Sequence, residues 1–141
     1  MARVVWIWLC LSTACATART TGLFIEHPSQ QQLQALARDA ACELAELYPA
    51  EHTQLSFAHP AADAFGGPFV TELRGLGFAV AEARTRGSQL GISYTVDEVG
   101  QLYRIVVRLT SAKRRISLVR AYLHRADAVH PAGAWTQQVI P

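Results

Sequence analysis

The residue with the clearest chemical potential is Cys15, whose thiol could carry a lipid after export. A positive charge, an apolar run over residues 4–11 and small residues at 12–14 precede it. This order is typical of an export signal, and the run is shorter than the roughly 20 residues that span a bilayer. Cleavage before Cys15 would remove a signal peptide of residues 1–14 and leave a lipid-anchored chain. Cleavage after Ala16 would instead release a soluble periplasmic protein.

Cys42 is the other cysteine outside the signal, since Cys10 lies within it. If Cys15 carries a lipid, Cys42 is a lone thiol in an oxidising compartment, and no internal disulfide can form. It lies on the polar side of a predicted helix, although free cysteines are usually buried. Two interpretations stay open. A neighbouring segment covers the thiol, or Cys42 contacts a partner, for example through an intermolecular disulfide.

A basic stretch in the second half of the chain includes Arg104 and Arg108. Alternation along a predicted strand places these two arginines on its outer face. They either form a solvated surface that discourages edge pairing or contact an acidic partner or anionic lipid. The formal net charge of +2 is too small for a polybasic nucleic-acid binder, so we expect no direct contact with nucleic acid.

Sequence patterns of enzyme active sites are absent. The chain contains no G-x-S-x-G, no P-loop and no G-x-G-x-x-G that opens a helix. Its five histidines form no H-E-x-x-H motif and no metal-ligand pattern with cysteines. We therefore predict a non-enzymatic protein with no catalytic residue, no cofactor and no metal site. A small cell-wall hydrolase is a further alternative, which would require a convergent pocket of Glu and His residues.

The elements that would position these residues begin with an amphipathic helix over residues 29–48. Ser29 and Gln32 can form a capping box at its start. Apolar residues then recur at helical spacing on one face. Pro49 cannot continue the helix and ends it.

A strand over residues 52–59, a second helix and a strand over 78–83 follow. The second helix begins at Asp63 or at the pair Gly66-Gly67. The order strand–helix–strand predicts two parallel strands joined by a right-handed crossover. Three further strands are predicted over residues 91–96, 102–110 and 116–124.

We predict an α+β fold with two helices packed on one face of a mixed, mostly antiparallel sheet of about five strands. The element order is α-β-α-β-β-β-β. Residues 28–141 form a single domain, and residues 15–27 form a lipid-anchored tether in which residues 23–25 could add a short edge strand. Residues 131–135 form a turn whose Trp135 could cover the core.

Short segments along nearly the whole mature chain resemble one protein family. They include Leu47-Tyr48-Pro49-Ala50, Phe65-Gly66, Leu76-Gly77-Phe78-Ala79-Val80 and Leu102-Tyr103-Arg104. The most specific pieces are Arg120-Ala121-Tyr122-Leu123 and Pro131-Ala132-Gly133-Ala134-Trp135. On these residues the chain resembles the conjugal transfer protein TrbH family.

The resemblance implies a small exported lipoprotein that serves the outer-membrane part of a conjugative type IV secretion channel, the mating-pair-formation apparatus. The family's lipid-attachment cysteine corresponds to Cys15, and Ala16 after it resembles an outer-membrane address. We therefore expect a lipid-anchored protein on the periplasmic side of the outer membrane. Its partners would be membrane lipid, through Cys15, and other channel subunits. A soluble periplasmic accessory or binding domain is the alternative.

Overall fold

The computed structural model describes residues 21–83 and 90–141 of the chain. Within these ranges lie two helices, a short 3-10 turn at Ala50–His52 and one eight-stranded sheet. The helices are α1 (Gln30–Leu47) and α2 (Gly66–Gly75). The strands are β1 (Gly22–Phe24), β2 (Gln54–Phe57), β3 (Ala79–Ala81), β4 (Leu90–Val99), β5 (Leu102–Thr110), β6 (Arg115–Arg125), β7 (Ala128–Pro131) and β8 (Thr136–Ile140). The predicted signal peptide and Cys15 lie outside the described residues.

The main path of the sheet runs in the order β3-β2-β4-β5-β6-β7. β2 pairs parallel with β3 and β4, and β1 pairs parallel with β4, whereas β4, β5 and β6 form an antiparallel meander. One side of β4 is shared, because β2 pairs with residues 90–92 and β1 with residues 95–97. One side of β6 is shared in the same way, by β7 at residues 122–125 and β8 at residues 115–119. The sheet therefore ends, beside β6, in two short strands laid end to end.

Helix α1 starts and ends where its sequence predicts. The Ser29 hydroxyl accepts a hydrogen bond from the Gln32 N–H at 3.2 Å, and the Gln32 side chain accepts one from the Ser29 N–H at 2.9 Å. At the other end the Tyr48 N–H donates to the Leu44 carbonyl at 2.9 Å, and Pro49 prevents a further turn. The predicted capping box is confirmed, and it fixes the direction in which α1 enters the fold.

One apolar core lies between the helices and one face of the sheet. The strands supply alternate residues to it, as the period of two along a strand requires. From β4 and β5 these buried residues are Ile92, Tyr94, Val96, Tyr103, Ile105, Val107 and Leu109. From the helices they include Leu33, Leu36, Ala37, Ala40, Leu44, Phe69, Val70 and Leu73. The residues between these strand positions face the other side of the sheet, on which no described helix packs.

Helix α2 begins at a carboxylate cap. Asp63 Oδ1 accepts hydrogen bonds from the N–H groups of Phe65 (3.1 Å) and Gly66 (2.7 Å). A negative charge here also interacts favourably with the helix dipole. Of the two predicted starts, the helix begins at Gly66 while Asp63 supplies the cap. Tyr94 lies fully buried beneath this turn, and burial, together with the Asp63 carboxylate, raises the pKa of its phenol.

The α+β class, the two packed helices and the parallel pairing of β2 with β3 are confirmed. The predicted number of strands, about five, is wrong, because β1, β7 and β8 join the same sheet and bring the number to eight. These strands have three, four and five residues, which is too short for a period-2 pattern to stand out. β1 matches the short edge strand expected near residues 23–25. β7 and β8 flank the predicted turn at 131–135, and Trp135 packs partly buried against the core.

Gly66 and Gly67 offer a matched test of this packing. A Cβ on Gly66 would lie 2.4 Å from the Tyr94 hydroxyl and 2.6 Å from the Ala61 carbonyl oxygen, whereas one on Gly67 would meet nothing within 4 Å. We expect Gly66→Ala to lower the free energy of unfolding by about 1–3 kcal/mol through overpacking. Gly67→Ala should leave it unchanged or raise it by up to about 1 kcal/mol, since alanine favours the helix. Denaturant unfolding followed by circular dichroism measures both, and equal effects would contradict this packing.

Candidate functional site

A carboxylate with several internal donors lies where α1, β6 and the C-terminal strands meet. Arg120 Nη1 donates to both carboxylate oxygens of Asp39, at 2.8 and 3.1 Å. The Tyr122 hydroxyl and the Trp135 indole N–H, the latter at 3.2 Å, donate to Asp39 Oδ2. We call Asp39, Arg120, Tyr122 and Trp135 the Asp39 cluster.

Strand alternation and one short connection account for the positions of the three donors of the cluster. Arg120 and Tyr122 are two positions apart on β6, so both point to the same face. Their partners in the ladder, Ile105 and Tyr103, are core residues, and this identifies the face as the one that the helices cover. Trp135 immediately precedes β8. The short connection between β7 and β8 therefore brings the indole over the end of the arginine.

The Arg120 guanidinium is held on three sides. Its Nε donates to the Gly133 carbonyl at 2.8 Å. Its central carbon lies 5.7 Å from the centre of the Tyr122 ring and 5.9 Å from that of the Trp135 ring. Both distances fall within the range of cation–π attraction. The guanidinium thus links β6, the β7–β8 connection and α1 through one planar group.

Burial sets the electrostatics of the cluster. The side chain of Arg120 is 18% exposed and that of Asp39 33%, while Tyr122 is fully buried. Burial, followed by the hydrogen bond to Asp39, raises the pKa of the Tyr122 phenol. Burial and the carboxylates of Glu46 and Asp39 also raise the pKa of Glu43, one turn along α1, whereas Arg120 opposes that rise.

A second polar tie lies two helical turns before Asp39. The Gln32 side-chain amide donates to the Ala126 carbonyl at 2.7 Å, while its oxygen completes the capping box with Ser29. Ala126 lies in the turn between β6 and β7 and has a positive φ of 48°. Residues seven apart lie on the same side of a helix. Gln32 and Asp39 therefore fasten one side of α1 to the same end of the sheet.

In chemical terms, the Asp39 cluster is a structural tie. Four hydrogen bonds from protein groups end on one carboxylate, and its positive partner is mostly buried. A carboxylate engaged in this way has its charge neutralised and its lone pairs occupied. The arrangement fixes β7 and β8 against β6, and it thereby determines which surfaces the C-terminal part of the chain presents.

Arg104 and Arg108 lie, as predicted, on the sheet face that no described helix covers. Arg104 stands directly opposite Asp97 in the β4–β5 ladder, and its Nε donates to Asp97 Oδ1 at 2.9 Å. This hydrogen bond is the main reason for the raised pKa of Arg104. Arg108 Nη1 donates to the Thr95 hydroxyl at 3.2 Å. Much of the positive charge on this face therefore already has a partner within the domain.

Cys42 is exposed on α1, and its predicted position on the polar side of the helix is confirmed. It lies on the helix side of the sheet, whereas Arg104 and Arg108 lie on the other side. The structure therefore places the two arginines on one face of the sheet but does not bring Cys42 to them. Cys15, the predicted lipidation residue, precedes the described part of the chain.

The Asp39 cluster does not follow from the sequence pattern. On sequence alone, Asp39 flanks the apolar face of α1, and Arg120 belongs to the basic stretch that includes Arg104 and Arg108. A solvated position is wrong for Arg120, because its side chain is mostly buried beside Asp39. One feature of the sequence points to the cluster: an arginine two positions from a tyrosine on a strand shares its face, and if that face is buried the arginine needs an acceptor there. The sequence offers several acidic residues on α1 for that role, and only the helix packing selects Asp39.

Two further structural facts concern residues 21–83 and 90–141. No group of three or more His, Cys, Asp or Glu side chains is placed to hold a metal ion. Neither helix in these ranges has the length and apolar character needed to cross a membrane.

Comparison with known proteins gives one match. A family model described as conjugal transfer protein TrbH matches residues 18–139. The matched range contains every member of the Asp39 cluster and runs from before β1 into β8. No curated protein and no solved structure matches the chain.

Asp39→Ala tests the cluster as a structural tie. The change leaves the Arg120 guanidinium and the Tyr122 hydroxyl without their acceptor in a mostly buried place. We expect the free energy of unfolding to fall by about 2–3 kcal/mol. Glu46→Ala is the matched control on the exposed side of α1, and it should change stability by less than about 0.5 kcal/mol. Thermal or denaturant unfolding measures both, and a neutral Asp39→Ala would show that the cluster does not hold the fold.

Proposed function

Since this chain belongs to the conjugal transfer protein TrbH family, and is therefore a component of conjugal transfer, we propose that it works as a non-enzymatic outer-membrane lipoprotein. In this proposal Cys15 carries the lipid, and the α+β domain faces the periplasm and contacts other subunits of the conjugative type IV secretion channel. The observation that carries the proposal is the family match over residues 18–139, which covers the whole described domain apart from its last two residues.

The position of β1 supports a short anchor. β1 begins at Gly22, so six residues lie between Cys15 and the first strand of the sheet, and the chain advances seven positions. At a maximum of about 3.5 Å per residue, this connection spans no more than about 25 Å. A domain anchored through Cys15 would therefore stay close to the membrane surface, with the N-terminal end of the sheet nearest to it.

The energetics of lipid attachment are sufficient for this role. Each buried methylene of an acyl chain contributes about 0.8 kcal/mol, and a single chain gives only reversible binding. Stable attachment requires two signals, such as two acyl chains. The modified cysteine of a bacterial lipoprotein would meet this requirement without any membrane-spanning helix.

The proposed partner surface is the sheet face that carries Arg104 and Arg108. Arg104 is partly exposed there and forms an ion pair with Asp97. The face therefore exposes an ion pair to a partner. Cys42 marks a second candidate contact on the helix side, because its thiol is exposed. The two surfaces lie on opposite sides of the sheet, which allows mutations to distinguish them.

Lipidation at Cys15 is tested by metabolic labelling with a palmitate analogue. We expect the wild-type chain to incorporate the label and Cys15→Ala to lose it, with a matching loss of membrane association in cell fractionation. Cys42→Ser is the matched control, and it should label as well as the wild type.

The intact mass of the mature N-terminus distinguishes the anchor from the soluble alternative. A mature chain that begins at Cys15 with added lipid supports the proposal. A mature chain that begins after Ala16 without lipid would contradict it and would favour a soluble periplasmic accessory domain.

The partner surface is tested by recovery of other channel subunits in a pull-down. We expect Arg104→Gln combined with Arg108→Gln to reduce recovery several-fold while the fold persists, because both side chains lie at the surface. Arg38→Gln combined with Arg74→Gln removes the same charge from the helix side and should leave recovery unchanged. If this control pair or Cys42→Ser reduces recovery instead, the contact lies on the helix side.

A further inference from the structure

β8 is an edge strand whose outer side has no partner among the described strands. Its inner side pairs with β6 over five residues, from Thr136 opposite Val119 to Ile140 opposite Arg115. Thr136, Gln137, Gln138 and Val139 are all exposed, and Val139 retains 64% of its accessible surface. The backbone N–H and C=O groups on the outer side of β8 are therefore available to another strand.

β8 lacks the features with which proteins usually protect a sheet edge. Natural edge strands carry charges, proline or a bulge, or are very short or covered. The segment Thr136-Gln137-Gln138-Val139-Ile140 has no charge and no proline, and its register with β6 is continuous.

The opposite edge of the same sheet is protected. β3 has only three residues, and Arg74 of α2 donates to the Val80 carbonyl at 3.2 Å. Arg74 also pairs with Glu82 at 2.9 Å, just beyond β3. One edge is thus short, covered and charged, whereas the edge at β8 is longer, open and neutral.

β8 is also held in place before any partner binds. Trp135, the residue before it, is fixed to Asp39, and Arg115 donates to the Pro141 carbonyl at the other end at 3.4 Å. A strand that is already ordered loses little conformational entropy when it pairs. The Asp39 cluster therefore prepares β8 as a binding edge.

We propose that β8 pairs antiparallel with β8 of a second copy of this chain, around a twofold axis at Gln138. This pairing places Gln138 opposite Gln138, Gln137 opposite Val139 and Thr136 opposite Ile140. The residues of each pair differ by an even number of positions, so residues whose backbone groups point outward always meet residues that also point outward. The strand is therefore complementary to itself in its hydrogen bonds.

The self-complementary register and the absence of charge on β8 favour a second copy as the partner. Twofold pairing places each side chain against a side chain of the same short segment, and any charge near the axis would meet its own copy. β8 has none, so pairing with itself meets no repulsion, and an isologous interface closes after two subunits. It also covers part of the exposed Val139 side chain. The inference concerns self-association and does not rest on the proposed lipid anchor.

The test measures the mass of the full chain, purified in detergent, by native mass spectrometry. We expect the wild type to be a dimer. Gln138→Lys and Gln138→Glu should each be monomeric, with dissociation constants at least tenfold higher, because each places like charges together at the axis. An equimolar mixture of the two variants, one labelled with nitrogen-15, should restore a dimer that contains one copy of each.

Gln101→Lys is the matched control, since Gln101 is exposed in the turn between β4 and β5, away from β8. It should stay dimeric, and both Gln138 variants should keep the circular-dichroism spectrum of the wild type, whereas their melting temperatures should fall as the dimer is lost. A monomeric wild type, a Gln138→Lys chain that remains dimeric, or a mixture that forms no mixed dimer would each overturn the proposal. A monomeric wild type that gains a stable complex when channel subunits are added would instead assign the edge to another protein.

Discussion

The pairing of Asp39 with Arg120 is the interaction on which the C-terminal half of the structure depends. It joins residues 81 positions apart and neutralises a guanidinium that β6 directs toward the helices. An unpaired charge in that place would be strongly destabilising. Because Tyr122 and Trp135 donate to the same carboxylate, one side chain of α1 fixes the position of β6 and of the segment that leads into β8. Isolated short strands are marginal in water, so β7 and β8 need such an attachment.

The two faces of the sheet differ in what covers them. The helix-covered face holds the apolar core and, at its end, the Asp39 cluster. The other face carries Arg104 paired with Asp97 and Arg108 bound to Thr95, and it is the partner surface that we propose. This division suits the binding role that we propose, since the core and its polar tie hold the domain together while one face and one edge stay accessible.

Local sequence signals predicted the local structure well. The capping box of Ser29 and Gln32, the alternation along β5 and the parallel pair β2–β3 all follow from short-range patterns, and each is found in the structure. The strands that the sequence did not predict are β7 and β8, which have four and five residues. Such strands form because a long neighbour offers them a ladder, and nothing in their own sequence requires them to be strands.

By itself, the sequence determined the class of the fold, the ends of α1, the outward position of Arg104 and Arg108 and the resemblance to the TrbH family, because each is encoded in adjacent or periodic residues. Only the tertiary structure decided that Asp39, rather than another acidic residue of α1, receives Arg120, Tyr122 and Trp135. The physical reason is that this choice depends on how α1 is rotated and placed over β6. That placement results from the packing of the whole core, and it also leaves β8 as an open, neutral edge.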